Sequence, residues 1–199
     1  MADHYYHFIR TNGDGKPYIG NNDNRVVEVG VPVTIEGDPI LCEHGLHASR
    51  RIIDALEYCP VGDVALCRVE LGGTIIRDTD KSVAQTRTIT AMLPVEKTNA
   101  LLRDFARWCA LQVIDLWDAP DVVREYLTTG DETLRADAAG AAADASDAAA
   151  AWAAWAAAWA SDAASAATLA RTAARGESKQ AQEEKLAQLF EAALNKAGA

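Results

Sequence analysis

A chain of 199 residues is long enough for one solid core, or for a domain with a helical appendage. Its formal charge of −10 argues against a nucleic-acid or anionic-membrane surface, because phosphate contacts need clustered Lys and Arg. The acids are spread along the chain rather than set in dense rows, so the charge reads as solubility and not as mimicry of DNA.

The opening "MADHYYHFIR" has neither the basic nor the apolar region of a leader peptide. No apolar run reaches the roughly 18 residues that a membrane span needs. Cys42, Cys59, Cys67 and Cys109 lack regular spacing and read as reduced thiols of a cytosolic protein.

Up to about residue 95 the pattern is one of short strands and turns. "HYYHFIR" is aromatic and β-prone, and "NGDGKPYIGNNDN" is a dense turn cluster. "RVVEVGVPVTI" carries β-branched residues broken by Gly30 and Pro32, the mark of an edge strand or of two short ones. In "SRRIIDALEYC" the apolar positions Ile52, Ile53, Leu56 and Cys59 recur at helical spacing. Ser49 is placed to cap that helix, and Pro60 with Gly62 stops it. "DVALCRVELGG" alternates with Val64, Leu66 and Arg68 on one face, and "TIIRDTDKSVAQTRTITAML" adds one or two further strands.

From residue 96 the periodicity becomes helical. "EKTNALLRDFARWCALQVIDLWD" puts Leu101, Leu102, Phe105, Trp108, Cys109, Val113, Ile114 and Leu116 on a broad apolar face. "DAPDVVREYLTTGD" is a short helix, with Asp118 placed to cap it, Pro120 near its first turn and Gly130 at its end. Asp131 is expected to cap the next helix. Alanine, the best helix former, dominates residues 136–174. A seam at steps of three and four runs through Leu134, Ala138, Ala141, Ala145, Ala148, Trp152, Trp155, Trp159, Ala163, Ala166, Ala170 and Ala173. At 100° per residue the three tryptophans fall within about 60° of one another. So few charges cannot keep a helix of this length in solution alone, so the seam must pack on something. Gly176 breaks the pattern, and "SKQAQEEKLAQLFEAALNKAGA" resumes as a last helix with Leu186, Leu189, Phe190, Ala193 and Leu194 as its stripe.

The expected fold is therefore α+β. A small mixed sheet with one or two helices occupies residues 1–95, and an all-α half follows over 96–199. That half has two helices in 96–129, the Ala/Trp-rich helix over 131–175 and a return helix over 178–197, forming a helical hairpin or bundle. Leu134, Trp152, Trp155, Trp159, Leu186, Leu189 and Phe190 are its expected packing or partner interface.

All four histidines fall within the first 47 residues, as His4, His7, His44 and His47. Cys42, His44 and His47 form C-x-H-x-x-H, to which His4 or His7 could add a fourth zinc ligand. The spacing matches no established zinc module, and a paired C-x-x-C is absent. A Cys42 nucleophile with His44 or His47 as base is a second reading. The structural alternative makes Gly45 the turn, Leu46 a core residue and His47 a partner for backbone groups where strand passes to helix. His7, Cys42, His44, Gly45 and His47 are the candidate ligand-binding residues, with no metal, no cofactor and no catalytic residue assigned.

The strings "YYHFIR", "VVEVG", "CEHGLHAS", "DALEYC" and "CRVELGG" together resemble a domain of unknown function common in phages and prophages. Its members carry C-x-x-G-[FL]-H-A, which falls on Cys42, Gly45, Leu46, His47 and Ala48 here. The second half is similar to alanine-rich helical proteins of the immunity type. Neither resemblance carries an activity. Together they imply a non-enzymatic phage-type protein of the bacterial cytoplasm or the virion, acting by binding or self-assembly through its Ala/Trp helices as a host-defence inhibitor, ligand sponge or virion component. A homo-oligomer or a protein partner is expected, with no nucleic acid and no membrane. By fold-level analogy with ADP-ribosyltransferases, His7 and Gly45–His47 could instead line a nucleotide cleft with Glu70 as the acid, making a small nucleotide a candidate ligand. That alternative, or a metal-dependent enzyme, would centre on the His/Cys cluster.

Overall fold

The computed structural model describes residues 4–12, 14–20, 23–144, 154, 158 and 179–198. The long hairpin of β6 (Val64–Arg77) and β7 (Ser82–Met92) organises the sheet. β1 (Tyr5–Arg10) pairs with the free edge of β6, setting His7 opposite Cys67. Along the other edge of β7 two short strands lie end to end. β5 (Leu46–Ala48) takes Ser82 to Ala84, and β4 (Pro32–Thr34) takes Thr86 to Thr88. β2 (Tyr18–Gly20) and β3 (Asp23–Val26) form a separate two-stranded sheet. Among the described residues of this part the one helix is α1 (Ile52–Glu57).

The five-stranded sheet buries both faces along β6, so its alternation is lost where the sequence suggests a single inward face. One face carries Tyr5, Ile9, Ala48, Ala65, Cys67, Val69 and Ile89. His7, across from Cys67, shares that face. On the other face, the hydroxyl of buried Thr98 accepts from the Leu66 backbone N–H at 3.1 Å and donates to the Leu93 carbonyl.

The helical part begins with α2 (Val95–Leu111), a 3-10 turn at Ile114–Leu116 and α3 (Asp121–Thr129). Val123, Tyr126 and Leu127 of α3 are buried. Leu101, Leu102, Phe105, Cys109, Val113 and Ile114 are buried as well, as their spacing predicts, whereas Leu116 is 77% exposed. The helix ends before Leu116 and turns that side chain outward. Pro120, not Asp118, is the N-cap of α3, and Gly130 ends that helix at a φ of 69° that few other residues tolerate. Asp131 accepts from the backbone N–H and hydroxyl of Thr133, and α4 (Arg135–Asp144) starts beyond that turn. Its buried residues are Ala138, Ala139 and Ala142.

The expected architecture needs correction in two respects. Every named strand pairing is antiparallel, so the sheet is not mixed, and among the described residues parallel geometry occurs only at the isolated Val29–Ile89 bridge. The C-terminal half is also not a self-contained all-α hairpin. The chain divides into one compact unit of Met1–Thr98 with Ala187–Ala199, and another of Asn99–Leu186. The second half of the last helix, α5 (Lys179–Ala197), thus belongs with the sheet. Glu191 explains why: it accepts from the Tyr6 hydroxyl and from Arg68 Nη2 at 2.6 Å, and Asn195 takes a second bond from Arg68 at 2.9 Å. What remains is a sheet-rich N-terminal region followed by a helical part, a content compatible with α+β. Of the expected seam, Trp152, Trp155 and Trp159 lie outside the described residues. Ala154 and Ala158, each one position before a seam tryptophan, are helical and buried. Leu134 and Leu189 are half-buried, and Leu186 and Phe190 fully so.

Candidate functional site

The segment from Ile40 to Ala48 is a tight turn running into a strand. The Ile40 and His44 backbones exchange hydrogen bonds at 2.6 and 2.9 Å, and Cys42 between them takes a left-handed φ of 63°. Gly45 then passes beneath β7 at a φ of 128°. A Cβ there would stand 2.4 Å from Val83 Cγ2, so neither the conformation nor the space admits a side chain. Leu46 and Ala48 enter the core, and His47 between them stays at the margin. Ser49 does not cap α1, whose N-cap is Arg51. It exchanges backbone hydrogen bonds with Tyr6 and ties β1 to the segment.

Both sides of the His47 ring meet loop backbone. Nε2 accepts from the Cys42 N–H at 3.1 Å, and the ring also hydrogen-bonds the Gly45 backbone. The Nε2 bond fixes the proton on Nδ1 and makes the neutral ring the favoured form. Burial first, then the charges of Lys81 and Arg87, push its pKa down, against the raising effect of the Gly45 bond. His44 turns away to the Glu36 carbonyl at 2.9 Å and is exposed. His7 is held well below the ordinary imidazole range by burial, then by Arg87 and then by His47. The candidate residues thus separate. Cys42, Gly45 and His47 share one backbone latch, His44 leaves it, and His7 is coupled to it through the fields of Arg87 and His47.

Arg87, 5% exposed, was not among the candidates. Its Nη1 donates to the His47 carbonyl at 2.8 Å, and no carboxylate is paired with it among the described residues. Burial lowers its pKa to about 10 and raises that of Cys67 to about 12. The only signal in the sequence is a charged residue at an inward position of "TRTIT".

A second group missed from the sequence surrounds the Cys42 thiol. The Cys42 thiol first, and then the Tyr58 hydroxyl, raise the pKa of the neighbouring Lys81 ammonium. Its Nζ lies 4.4 Å from the Tyr58 ring centre. Tyr58 in turn donates to Asp80 at 2.6 Å. Beside this group opens a cleft of about 290 Å³ lined by Arg50, Arg77, Asp78, Thr79, Asp80, Lys81 and Ser82. The turn "DTDKS" and the "RR" after the strand are the visible traces of it, since polar runs of this kind read as ordinary loop.

Two chemistries weighed for the segment are not assembled. No group of three or more His, Cys, Asp or Glu able to hold a metal occurs among the described residues. Glu70 is exposed and alternates with Val69 and Leu71, so it lies on the sheet face opposite to His7. No helix among the described residues is long and apolar enough to cross a membrane.

No curated protein and no solved structure matches the chain. Residues 20–100, under half of its length, match a family described as Domain of unknown function (DUF7666). The matched stretch contains the latch, Arg87 and the whole cleft, and leaves β1 with His7 and nearly all of the helical part outside, so the chain is similar to that family through the part of the sheet region that carries the site.

Proposed function

We propose that the chain is a non-enzymatic binding protein of the phage or prophage type. Its sheet-bearing unit recognises a small ligand at the cleft beside the C-x-x-G-L-H-A segment, and its Ala/Trp helices carry self-association or a protein partner. A ligand sponge, a host-defence inhibitor and a virion component all fit this reading, in a bacterial host cell or particle.

The observation that carries it is the division of labour around Cys42. The imidazole that a catalyst would use as base is occupied by loop backbone at Nε2 and again at Gly45, whereas the cationic side chains beside it line an open cleft. A general base needs a ring nitrogen within reach of substrate, and His47 has already committed Nε2. Its ring sets the turn that places Cys42 against Lys81, a positioning task suited to recognition.

A thermal-shift screen against NAD, cyclic nucleotides and small anions tests the ligand claim, with a rise in melting temperature expected for at least one class. No shift with any class counts against it. Light scattering tests the association claim. A monomer that stays monomeric when Trp152, Trp155 and Trp159 are each changed to Ala would end it.

A further inference from the structure

We propose that His47 makes the Ile40–His44 turn an acid-sensitive latch, closed while its ring is neutral and open once the ring is protonated. The device belongs to the fold itself and does not depend on whether the cleft takes a ligand.

The turn is held from outside rather than from within. Ile40, Cys42, Glu43 and His44 are exposed and Leu41 is half-buried, so no side chain of the turn is anchored deep in the core. Its shape rests on backbone bonds joining Ile40 to Glu43 and His44, on the His44 bond to the Glu36 carbonyl, and on His47. Cys42 at its centre has a φ of 63°, a conformation that a Cβ disfavours. The N–H of that same residue is the one that the His47 ring accepts at 3.1 Å.

A proton affects the two histidines of the segment in opposite ways. His44 donates a ring N–H to a carbonyl and keeps that bond in either charge state. His47 accepts through Nε2, so a proton there removes the acceptor and sets two donors against each other. The charges facing the His47 ring do not favour the imidazolium. Lys81 and Arg87 act on it from β7, and His7 is coupled to it from β1. Asp80, beyond Lys81, accepts from the Tyr58 hydroxyl, and Glu43 in the turn itself is exposed. The bond of the ring to the Gly45 backbone works the other way and favours the charged form, so it survives protonation while the bond to Cys42 does not.

Gly45 also limits the movement. It is wedged under β7, with Val83 Cγ2 2.4 Å from where a Cβ would stand, and Leu46 and Ala48 beyond it are buried. β5 therefore stays in the sheet, and opening is confined to residues 40–44. The opened turn carries the Cys42 thiol out of its place beside Lys81.

An NMR titration of the isotope-labelled full chain tests this, following the His47 ring and the backbone amides together. The titration runs from pH 7 downward until the sheet amides of Leu66 and Val83 themselves exchange. Below the midpoint of the His47 ring, the Cys42 amide should lose protection about tenfold per pH unit after correction for intrinsic exchange, because only the neutral ring holds it. Leu66 and Val83 should still be protected at that point. His47→Gln, whose amide oxygen accepts an N–H at every pH, should flatten the Cys42 response, and His44→Gln should leave it as in the parent chain. The parent chain alone can overturn the latch. Loss of Cys42 protection in step with Leu66 and Val83 means that acid unfolds the unit and opens no latch. Loss at a midpoint other than that of the ring, or a response that persists in His47→Gln, assigns the opening to another group.

Discussion

Asp54, Ser82 and Arg87 are buried in the sheet-bearing unit, with His7 and His47 half-buried beside them. In Asn99–Leu186 the described interior is apolar, with Leu102, Phe105, Cys109, Val123, Tyr126, Leu127 and several alanines in it, and Gln182 is the buried polar residue among those described. A buried polar group costs stability unless it is partnered, and several of those in the sheet unit are partnered, although the Tyr5 hydroxyl and Arg68 Nε are not. Arg51 grips Asp54 with two bonds of 2.6 and 2.9 Å, Arg87 takes the His47 carbonyl, and His47 takes the Cys42 N–H. Such groups fix one geometry more than they add stability. The sheet unit should therefore be sensitive to changes of geometry and pH, and the helical unit to loss of volume.

The largest expected effect is on volume. Phe105 is fully buried and stacked on Trp108 with ring centres 6.1 Å apart. Phe105→Ala should cost about 3–5 kcal/mol in urea denaturation, as aromatic truncation in a core does. A loss under about 1 kcal/mol would break the contrast, because it would mean that the helical interior is not close-packed.

Gly45→Ala is the matching probe of geometry. One added methyl group meets Val83 Cγ2 at 2.4 Å and Pro39 Cβ at 3.1 Å on a backbone with φ of 128°. Clash and strain together should cost about 3 kcal/mol, although nothing is removed. Full stability in this variant would show that the latch is loose and that Cys42 is not positioned by it.

Between pH 7 and 5 acid should act chiefly on the sheet unit, since the histidines are confined to residues 4–47. Burial chiefly depresses His7 and His47, with Arg87 adding to both. A depressed imidazole pKa means that the unfolded chain takes up the proton first. The stability contributed is thus complete above about pH 6.5 and is lost as pH falls below it. Each histidine kept neutral in the fold should remove up to about 1.4 kcal/mol per pH unit in that window. Urea midpoints between pH 7 and 5 measure the slope, and His47→Gln should reduce it without abolishing it. A flat profile in the parent chain would show that both rings are protonated in the fold.

These contrasts were only partly legible in the sequence. Ile52, Ile53 and Leu56 announced α1 because local spacing decides a short helix, and Gly130 announced the end of α3 for the same reason. That Leu46 enters the core and that His47 partners backbone was legible in "CEHGLHAS". The turn itself closes between Ile40 and His44 around Cys42, ahead of Gly45, and His47 serves that turn and not the passage to the helix. The cleft was not, because Arg50 and Lys81 are brought together by the pairing of Ala48 with Ser82, a contact between segments more than 30 residues apart. Arg87 was missed because an inward charge in a strand looks the same as an outward one until the register is known.

The direction of the last helix was missed for a similar reason, and Glu191→Gln gives the smallest but most pointed test. The stripe of Leu186, Leu189 and Phe190 says that α5 is covered on one side and is silent about what covers it. Glu191 decides, through Arg68, whose side chain is 13% exposed. The amide keeps the shape and gives up the charge, so the cost should be about 1 kcal/mol, between that of a surface pair and that of a buried one. Amide hydrogen exchange should speed up over residues 187–197 and stay unchanged in α3, because local opening follows the contacts that are lost. Faster exchange in α3 with none in 187–197 would put the end of α5 back with the helices and return the chain to the two-part architecture that its sequence suggests.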